Sequence, residues 1–422
     1  MSKKKFTVAI LGVGSRGGNV YGTLLNSRPD EFDIVALCDP RQERLDMFSA
    51  EFNVDKANCF RDENEFFKCR RADLLVIATL DRDHVRQCLT AFELGYDVLC
   101  EKPLSDKIEE CEALLESQKR NGNKILVCHV LRYASAFLKL ADIIDSGEIG
   151  RLISINSLER VRYWHQAHSY VRGNWRRSEE TTPMILAKCC HDLDLIQYYA
   201  NSRCRTVSSV GSLSYFNKEN MPEGALERCT ECKYIDTCPY SAKSIYIDIW
   251  KKDGSRPNVW PENVIASAPL TEEKLMKAIK EGPYGRCVFA CDNNVVDHQH
   301  TQMEFENGVK ASLTMVAFTG QHGRRMDFFG TLGELVFDGD TNVITLYKFG
   351  KEPKTISVSE LEDGGFGHGG GDVGLISDLY DVLMGKGENR TSLEASIESH
   401  LIGIKAEESR LRGGVCLSVH GD

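Results

Sequence analysis

Apolar runs alternate with segments of helical period through the first third of the chain. Phe6 to Leu11 is an unbroken apolar stretch of the length of a buried parallel strand, and it runs straight into Gly12 and Gly14. A helical segment to about Ser27 follows, and then a second apolar strand, Asp33 to Cys38. Leu74 to Thr79 reads as another buried strand. Val85, Cys88, Leu89 and Phe92 then form an i, i+3, i+4, i+7 stripe on a helix stopped by Gly95. Asp97 to Cys100 is a short strand. Ser105 caps a helix that turns Ile108, Cys111, Leu114 and Leu115 inward and ends at Asn121-Gly122. Lys124 to Val130 completes the set. The alternation predicts a doubly wound α/β domain over residues 1–128, with a parallel sheet of about six strands and a ligand beyond their carboxyl ends.

From about His129 the period changes. A helix reaches Ser146-Gly147, an alternating strand covers Leu152 to Leu158, and a polar-aromatic stretch runs from Arg160 to Arg177. Residues from about 215 to 297 read as a cysteine-rich insertion. Beyond it, Gln299 to Glu306, Lys310 to Val316, Asp327 to Phe329, Glu334 to Phe337 and Val343 to Tyr347 alternate as strands, and Asp372 to Leu383 and Leu393 to Leu411 are closing helices. Residues 129–422 are thus expected to form a second, α+β domain.

A chain of 422 residues exceeds what one core usually organises, which leaves room for a cleft between two domains. Apolar residues at 42% and charged residues at 27% are ordinary globular values. A net charge of -10 argues against a nucleic-acid or anionic-membrane surface and favours a small-molecule partner. The basic start Met1-Ser-Lys-Lys-Lys precedes an apolar run too short for an export signal, and no stretch approaches the roughly 20 apolar residues of a membrane span. Sixteen cysteines without such a signal point to reduced thiols and a cytoplasmic setting. Most of them, such as Cys38, Cys88, Cys100 and Cys128, lie in apolar segments as small core residues.

Gly12-Val13-Gly14-Ser15-Arg16-Gly17 is G-x-G-x-x-G placed between a strand and a helix, and the next strand ends at an acid, Asp39. Gly12 permits the tight turn, Gly14 the approach of a pyrophosphate, and Gly17 the close packing of helix on strand. Asp39 would accept the adenosine ribose hydroxyls and disfavour a 2'-phosphate, so NAD is expected ahead of NADP, with Arg41 and Arg44 nearby as the opposing feature. Gly365-Phe366-Gly367-His368-Gly369-Gly370 matches the same pattern but follows a polar segment, and reads as a loop.

At a strand's carboxyl end stands Glu101-Lys102-Pro103, whose proline biases Lys102 toward extended backbone. With the glycine loop, Thr79-Leu80-Asp81-Arg82-Asp83-His84 and His191-Asp192-Leu193-Asp194, the sequence resembles the Gfo/Idh/MocA oxidoreductases over essentially its whole length. The resemblance implies an N-terminal Rossmann domain and a C-terminal domain built on a large, mostly antiparallel open sheet. It also implies an NAD(P)-dependent reaction on a sugar, inositol or related carbohydrate, and a homodimer or homotetramer formed through that sheet. Carried over by position, Lys102 lies near substrate and nicotinamide and His191 is the acid/base. The cofactor would meet Gly12, Gly14, Ser15, Arg16, Gly17, Asp39, Thr79, Asp81, His84, Glu101 and Lys102. One position departs: an aspartate often found four residues before the histidine is here Ala187, and Lys188 is offered as a substrate contact instead.

Oxidising an alcohol sends a hydride to the cofactor and a proton to a base whose pKa best lies near the working pH. An unperturbed His191 meets that condition, whereas Lys102 would need its pKa lowered, so His191 is assigned as acid/base and Lys102 as the donor that orients the hydroxyl. The two roles are exchangeable. Arg132, Tyr163, His168, Arg172 and Trp175 join Lys188 and Asp194 as substrate-binding candidates, because aromatic faces stack on sugar rings and arginines donate to hydroxyls or an anionic group. Arg160 to Arg177 is expected to be a substrate-facing loop.

In the insertion, Cys229-Thr230-Glu231-Cys232, then Cys238, and Cys287 or alternatively Cys291, have the spacing of a four-thiolate structural zinc site. Two further functional readings stand beside net oxidoreduction. Tightly held NAD could serve redox-neutral cleavage of a glycoside through a transient ketone, or the chain could be a non-catalytic NAD or sugar sensor.

Overall fold

A computed structural model describes residues 4–360 and 368–421. Six strands form the N-terminal sheet: β1 Phe6–Leu11, β2 Phe32–Cys38, β3 Cys59–Phe60, β4 Leu74–Ile77, β5 Asp97–Cys100 and β6 Ile125–Val127. All are parallel, in the order β3-β2-β1-β4-β5-β6. Residues of alternate parity enter different cores: Val8 and Ile10 pack with Leu24, Phe48 and Leu126, while Ala9 and Leu11 pack with Leu75, Phe92 and Leu114. That two-sided burial is why these strands read as continuous apolar runs. The strand order reverses between β1 and β4, and the crevice beyond their carboxyl ends is where such sheets bind ligands.

The second sheet has nine strands: β7 Leu152–Arg160, β8 Cys204–Ser212, β9 His298–Phe305, β10 Lys310–Val316, β11 Gly323–Gly330, β12 Gly333–Asp338, β13 Val343–Lys348, β14 Lys354–Ser357 and β15 Leu417–Ser418. Their order is β14-β13-β12-β11-β7-β10-β9-β8-β15. Only the β7–β10 pair is parallel. Along β9 and β10 buried and more exposed residues alternate, so one face is covered and the other open.

The C-terminal helices tie the two units together. Helix Gly371–Leu383 sends Leu375, Ile376, Leu379 and Tyr380 into the core shared with Phe6 and Phe32 of the first sheet. Helix Leu393–Leu411 places Leu393 and Ile397 against that sheet's other face, and Ile402 and Ala406 in the core of the second sheet.

Two parts of the pattern come out differently. Strand β8 is rich in serine (CRTVSSVGS), which hides its alternation, and β3, β14 and β15 are very short. The stretch expected as a substrate-facing loop, Arg160 to Arg177, is instead wound into short helices, Tyr163–His165, Gln166–Arg172 and Asn174–Arg176, and Gln166 to Arg172 is buried throughout. Ala167 and Val171, four residues apart, pack against Phe216, Ile245 and Tyr246 in the core of the insertion. In the second glycine-rich match, Gly365, Phe366 and Gly367 lie outside the described residues.

Candidate active site

The site is built at the carboxyl ends of β1, β2, β4 and β5. Gly12 has a φ of +89°, and a Cβ there would come within 2.5 Å of the Ala78 carbonyl oxygen. At Gly17 a Cβ would lie 1.9 Å from the Gly12 oxygen, so only glycine lets helix Ser15–Gly22 start this close to the strand. A Cβ at Gly14 would meet nothing nearer than the Arg41 guanidinium at 3.5 Å. The loop therefore leaves open the position a pyrophosphate needs and closes the other two, which fits a dinucleotide. Asp39 is buried, and Arg41 forks onto it, Nε to Oδ1 at 2.9 Å and Nη2 to Oδ2 at 3.0 Å, so ribose hydroxyls would share an engaged carboxylate.

Arg16 and Glu101 do not point freely at a cofactor. Arg16 donates to Glu101 at 2.8 Å, to Asp372 at 2.6 Å and to the Tyr21 hydroxyl at 2.5 Å, and that hydroxyl in turn donates to Glu101 at 2.7 Å. His368 Nδ1 lies 3.0 Å from Asp372. Glu101 also accepts from the Lys102 backbone N–H at 3.0 Å, which fixes the strand tip that carries the lysine. Thr79 donates to Gln87, His84 Nδ1 lies 2.7 Å from the Pro103 carbonyl, and Asp81 accepts from Thr182 at 2.7 Å and from Trp175 Nε1 at 3.1 Å. Trp175 is thereby a brace across the cleft rather than a free stacking face.

Lys102 Nζ reaches the Ala187 carbonyl at 3.4 Å, just before helix Cys190–Ala200. Burial pulls its pKa down, but Cys190 and the Glu101 and Asp81 carboxylates outweigh that, and the net shift is upward; with the Cys190 thiol itself pushed up to about 12, the carboxylates carry the effect. Lys102 is thus an ammonium. His191, near the start of that helix, moves the other way: burial, then the charges of Lys102 and Arg324, hold it well below the usual histidine value. The expectation of an unperturbed His191 is corrected on this point. It is a neutral imidazole whose buried Nδ1 has no protein partner. Its ring stands 6.1 Å from that of His129, which in turn stands 5.8 Å from His400.

The opposite wall is a chain of charges that the sequence reading missed. Arg324 on β11 forks onto Asp192 at 2.8 and 3.0 Å and also reaches Glu159 on β7 at 3.1 Å, and the other Glu159 oxygen lies 3.2 Å from Lys188 Nζ. Arg324 and Glu159 are direct partners in the β7–β11 register. A signal for Glu159 existed: Ile155, Ser157 and Glu159 share the buried parity of β7, so an acid there had to be paired inside. Burial raises the Asp192 carboxyl, while Arg324 and Lys188 hold Glu159 below its usual value against burial. His165 and His322 stand close enough to Lys188 for its charge, after burial, to lower both.

Several expected substrate ligands are committed elsewhere. Arg132 and Asp194 are a buried fork, with two bonds of 2.8 Å, and Arg132 also donates to the Arg390 carbonyl, so neither has a free edge for substrate. Arg172 is among the most buried side chains and donates to the carbonyls of Arg286 and Tyr240. His168 is hydrogen-bonded to Tyr246 and stacked on Tyr284, inside the insertion's core. Tyr163 is half-buried, with its ring edge-on to Tyr240.

Among the described residues no group of three or more His, Cys, Asp or Glu has metal-holding geometry. Cys229 and Cys232 nevertheless stand close enough to act on the thiols of both Cys238 and Cys287, and Cys229 on that of Cys291; zinc at these cysteines finds no support in that arrangement. Cys229 Sγ takes a hydrogen bond from Arg172 at 3.5 Å, and Cys291 Sγ donates to the Cys287 carbonyl at 3.2 Å. Burial raises the thiols of Cys238, Cys287 and Cys291.

No helix among the described residues is long and apolar enough to cross a membrane. The chain is 22% identical over 407 residues to a putative oxidoreductase, YteT, of Bacillus subtilis, covering 90% of this chain and 91% of that protein. It is 26% identical to an inositol 2-dehydrogenase of Salmonella typhimurium over 204 residues, 47% of this chain and about half, 55%, of that protein. The fold is similar to that of levoglucosan dehydrogenase solved with NADH, with a TM-score of 0.71 at 16% identity, covering 99% of this chain and 100% of that one. Family models match residues 6–129, as the oxidoreductase family's NAD-binding Rossmann fold, and residues 141–413, as that family's C-terminal α/β domain. The chain belongs to this oxidoreductase family, the Gfo/Idh/MocA family.

Proposed function

We propose that the chain is an NAD-dependent oxidoreductase that moves hydride between nicotinamide and a hydroxyl-bearing carbon of a sugar, polyol or glycoside. One observation carries the reading: a charged Lys102 at the end of β5 stands close enough to a neutral, unpartnered His191 to help lower it, beside a glycine loop shaped for a dinucleotide. The carbohydrate substrate is supported by relatives named inositol 2-dehydrogenase and 1,5-anhydro-D-fructose reductase. Gly12, Gly14 and Gly17 would hold the pyrophosphate, Asp39 with Arg41 the adenosine ribose, and Lys102 the nicotinamide side. Bound NAD would supply the hydride acceptor.

The protein's part is to orient and to move a proton. Lys102, an ammonium with three donors, holds the reacting hydroxyl and stabilises negative charge growing on its oxygen. His191 receives the proton. Its depressed pKa makes it a modest base at neutral pH, so lowering the hydroxyl's own pKa beside Lys102 is part of the same step. Glu101 keeps Lys102 in register through its backbone N–H. The open face of the second sheet is the surface through which we expect copies of the chain to associate.

The test is an absorbance screen at the NADH band over a carbohydrate panel with NAD, repeated with NADP. NADH formation with at least one member is expected. Absence of reduction across the panel, while product sugars appear and NAD stays bound, would replace this reading with redox-neutral cleavage; binding with no chemistry at all would leave a sensor.

A further inference from the structure

The charged side chains of the cleft are layered by sign. Glu159 is 1% exposed, Asp192 0%, Asp81 3% and Glu101 6%, so every one of these carboxylates lies behind the surface a ligand would touch. Lys102, Lys188 and Arg324 are the partly accessible members of the same clusters. The chain Asp192–Arg324–Glu159–Lys188 holds two acids and two bases and is formally neutral, yet the end that reaches the cleft is an ammonium, its side chain 15% exposed. Lys102 Nζ contacts the carbonyl of residue 187, next in sequence to Lys188, and the charges of both lysines reach the same imidazole, His165. Position 187 is alanine and offers no side-chain acceptor. His165 is near enough to both lysines for their charges to lower it, after burial, and its buried Nδ1 has no partner; His322, exposed, is lowered by burial and by Lys188.

A neutral sugar is usually gripped by carboxylates that accept from its hydroxyls and by donors that bind its lone pairs. Here the charged groups in front are donors only. A ligand that matches them presents an acceptor with full charge, because an ammonium of this kind, fixed by a buried carboxylate, forms its strongest hydrogen bonds to an anion.

We propose that the substrate is a sugar or polyol bearing an anionic group, a carboxylate or a phosphate, and that Lys188, fixed by Glu159, is the residue that selects it; this rests on the oxidoreductase reading above. Lys102 remains committed to the reacting hydroxyl. Lys188 takes the anionic group at a second point of the same molecule, and Arg324 sustains the field from behind without needing contact.

The experiment compares matched probes on the full-length protein: D-glucuronate with D-glucose, D-galacturonate with D-galactose, and D-glucose 6-phosphate. Calorimetric binding to NAD-saturated protein is measured beside NADH formation, so the inference is tested even if no probe turns over and the oxidoreductase reading fails. At least one anionic probe should bind more tightly than its neutral partner, and the two anion types separate the carboxylate from the phosphate source. Lys188→Met should cost that probe roughly tenfold to a hundredfold in affinity or kcat/KM and leave the neutral partner nearly unchanged. Lys188→Arg should recover most of the preference. Because Lys188→Met loosens Glu159, the double variant with Glu159→Gln is measured as well and should show the same selective loss. Equal or better binding of the neutral probes by wild type, or an equal loss on both members of a pair in Lys188→Met, would overturn the proposal.

Discussion

The two walls of the cleft solve the same problem, buried charge, in opposite ways. On the Rossmann side Arg16 sits between two acids, Glu101 and Asp372, and all three side chains are tied to one another inside the knot. Its product is geometric: Glu101 anchors the backbone of Lys102. On the sheet side the charges alternate in a line, Asp192, Arg324, Glu159, Lys188, and the last cation is left at the open end. The first wall positions a catalytic group; the second presents charge to the cleft. The first holds two acids around one cation and the second two acids and two cations, so the count and the order of charges together decide which.

The largest effect that could break this comparison is catalytic. A positioned acid/base or oxyanion donor is worth about 10²- to 10⁴-fold, so His191→Ala and Lys102→Met should each lower kcat by roughly that range with little change in NAD affinity. Because burial and the neighbouring cations keep His191 neutral below the ordinary histidine range, kcat/KM for oxidation should show no acid limb near pH 6.5. A His191 variant with near wild-type kcat from pH 6 to 9 would hand the proton transfer to Lys102.

The next effect separates the walls by stability. Arg16→Met takes one cation from two buried acids, but Glu101 keeps the Tyr21 hydroxyl and Asp372 keeps His368. Arg324→Met leaves Glu159 with Lys188 but removes both Arg324 bonds to the fully buried Asp192. Removing one partner of a buried ion pair costs about 3–5 kcal/mol, and the partial exposure of Arg16 places its loss near about 3. Denaturant unfolding should show Arg324→Met as the less stable of the two variants; the reverse order would mean that the Rossmann knot is the tighter assembly.

The smallest effect concerns the imidazoles behind His191. Burial holds His129 well below its usual value and lowers His400 to about 3, so both are neutral in the folded protein and take up protons when it unfolds below about pH 6.5. Their contribution is fully present above that pH and is lost as pH falls toward about 3. His400→Gln should therefore flatten the stability slope between those limits by at most about 1.4 kcal/mol per pH unit. An unchanged slope would mean that His400 is charged in the folded state.

How much of this the sequence disclosed follows from where the information sits. The Rossmann half was legible because its determinants are local: FTVAIL ends at the glycine whose φ is +89°, and the apolar runs are continuous since both faces of the sheet are covered. Lys102 and His191 were found through motifs. The sheet-side wall was hidden because Glu159 and Arg324 are partners only through strand register, 165 positions apart in the chain, and a charged residue on a strand is ordinarily read as solvent-facing. Arg132 and Arg172 read as ligands on residue type, and Asp194 through the motif it shares with His191, but a polar side chain entering a core must first satisfy itself, and these do so with one another or with carbonyls.

Hydride transfer at this cleft is the central claim, and isotope transfer tests it most directly. A sugar or sugar acid found active in the panel, carrying deuterium at the oxidised carbon, would be incubated with the protein and NAD, and the nucleotide pool analysed by mass spectrometry. The account predicts reduced nucleotide heavier by one deuterium, formed by wild type and reduced to a trace in His191→Ala. Turnover of the labelled substrate with no deuterium in the nucleotide at any time would contradict it.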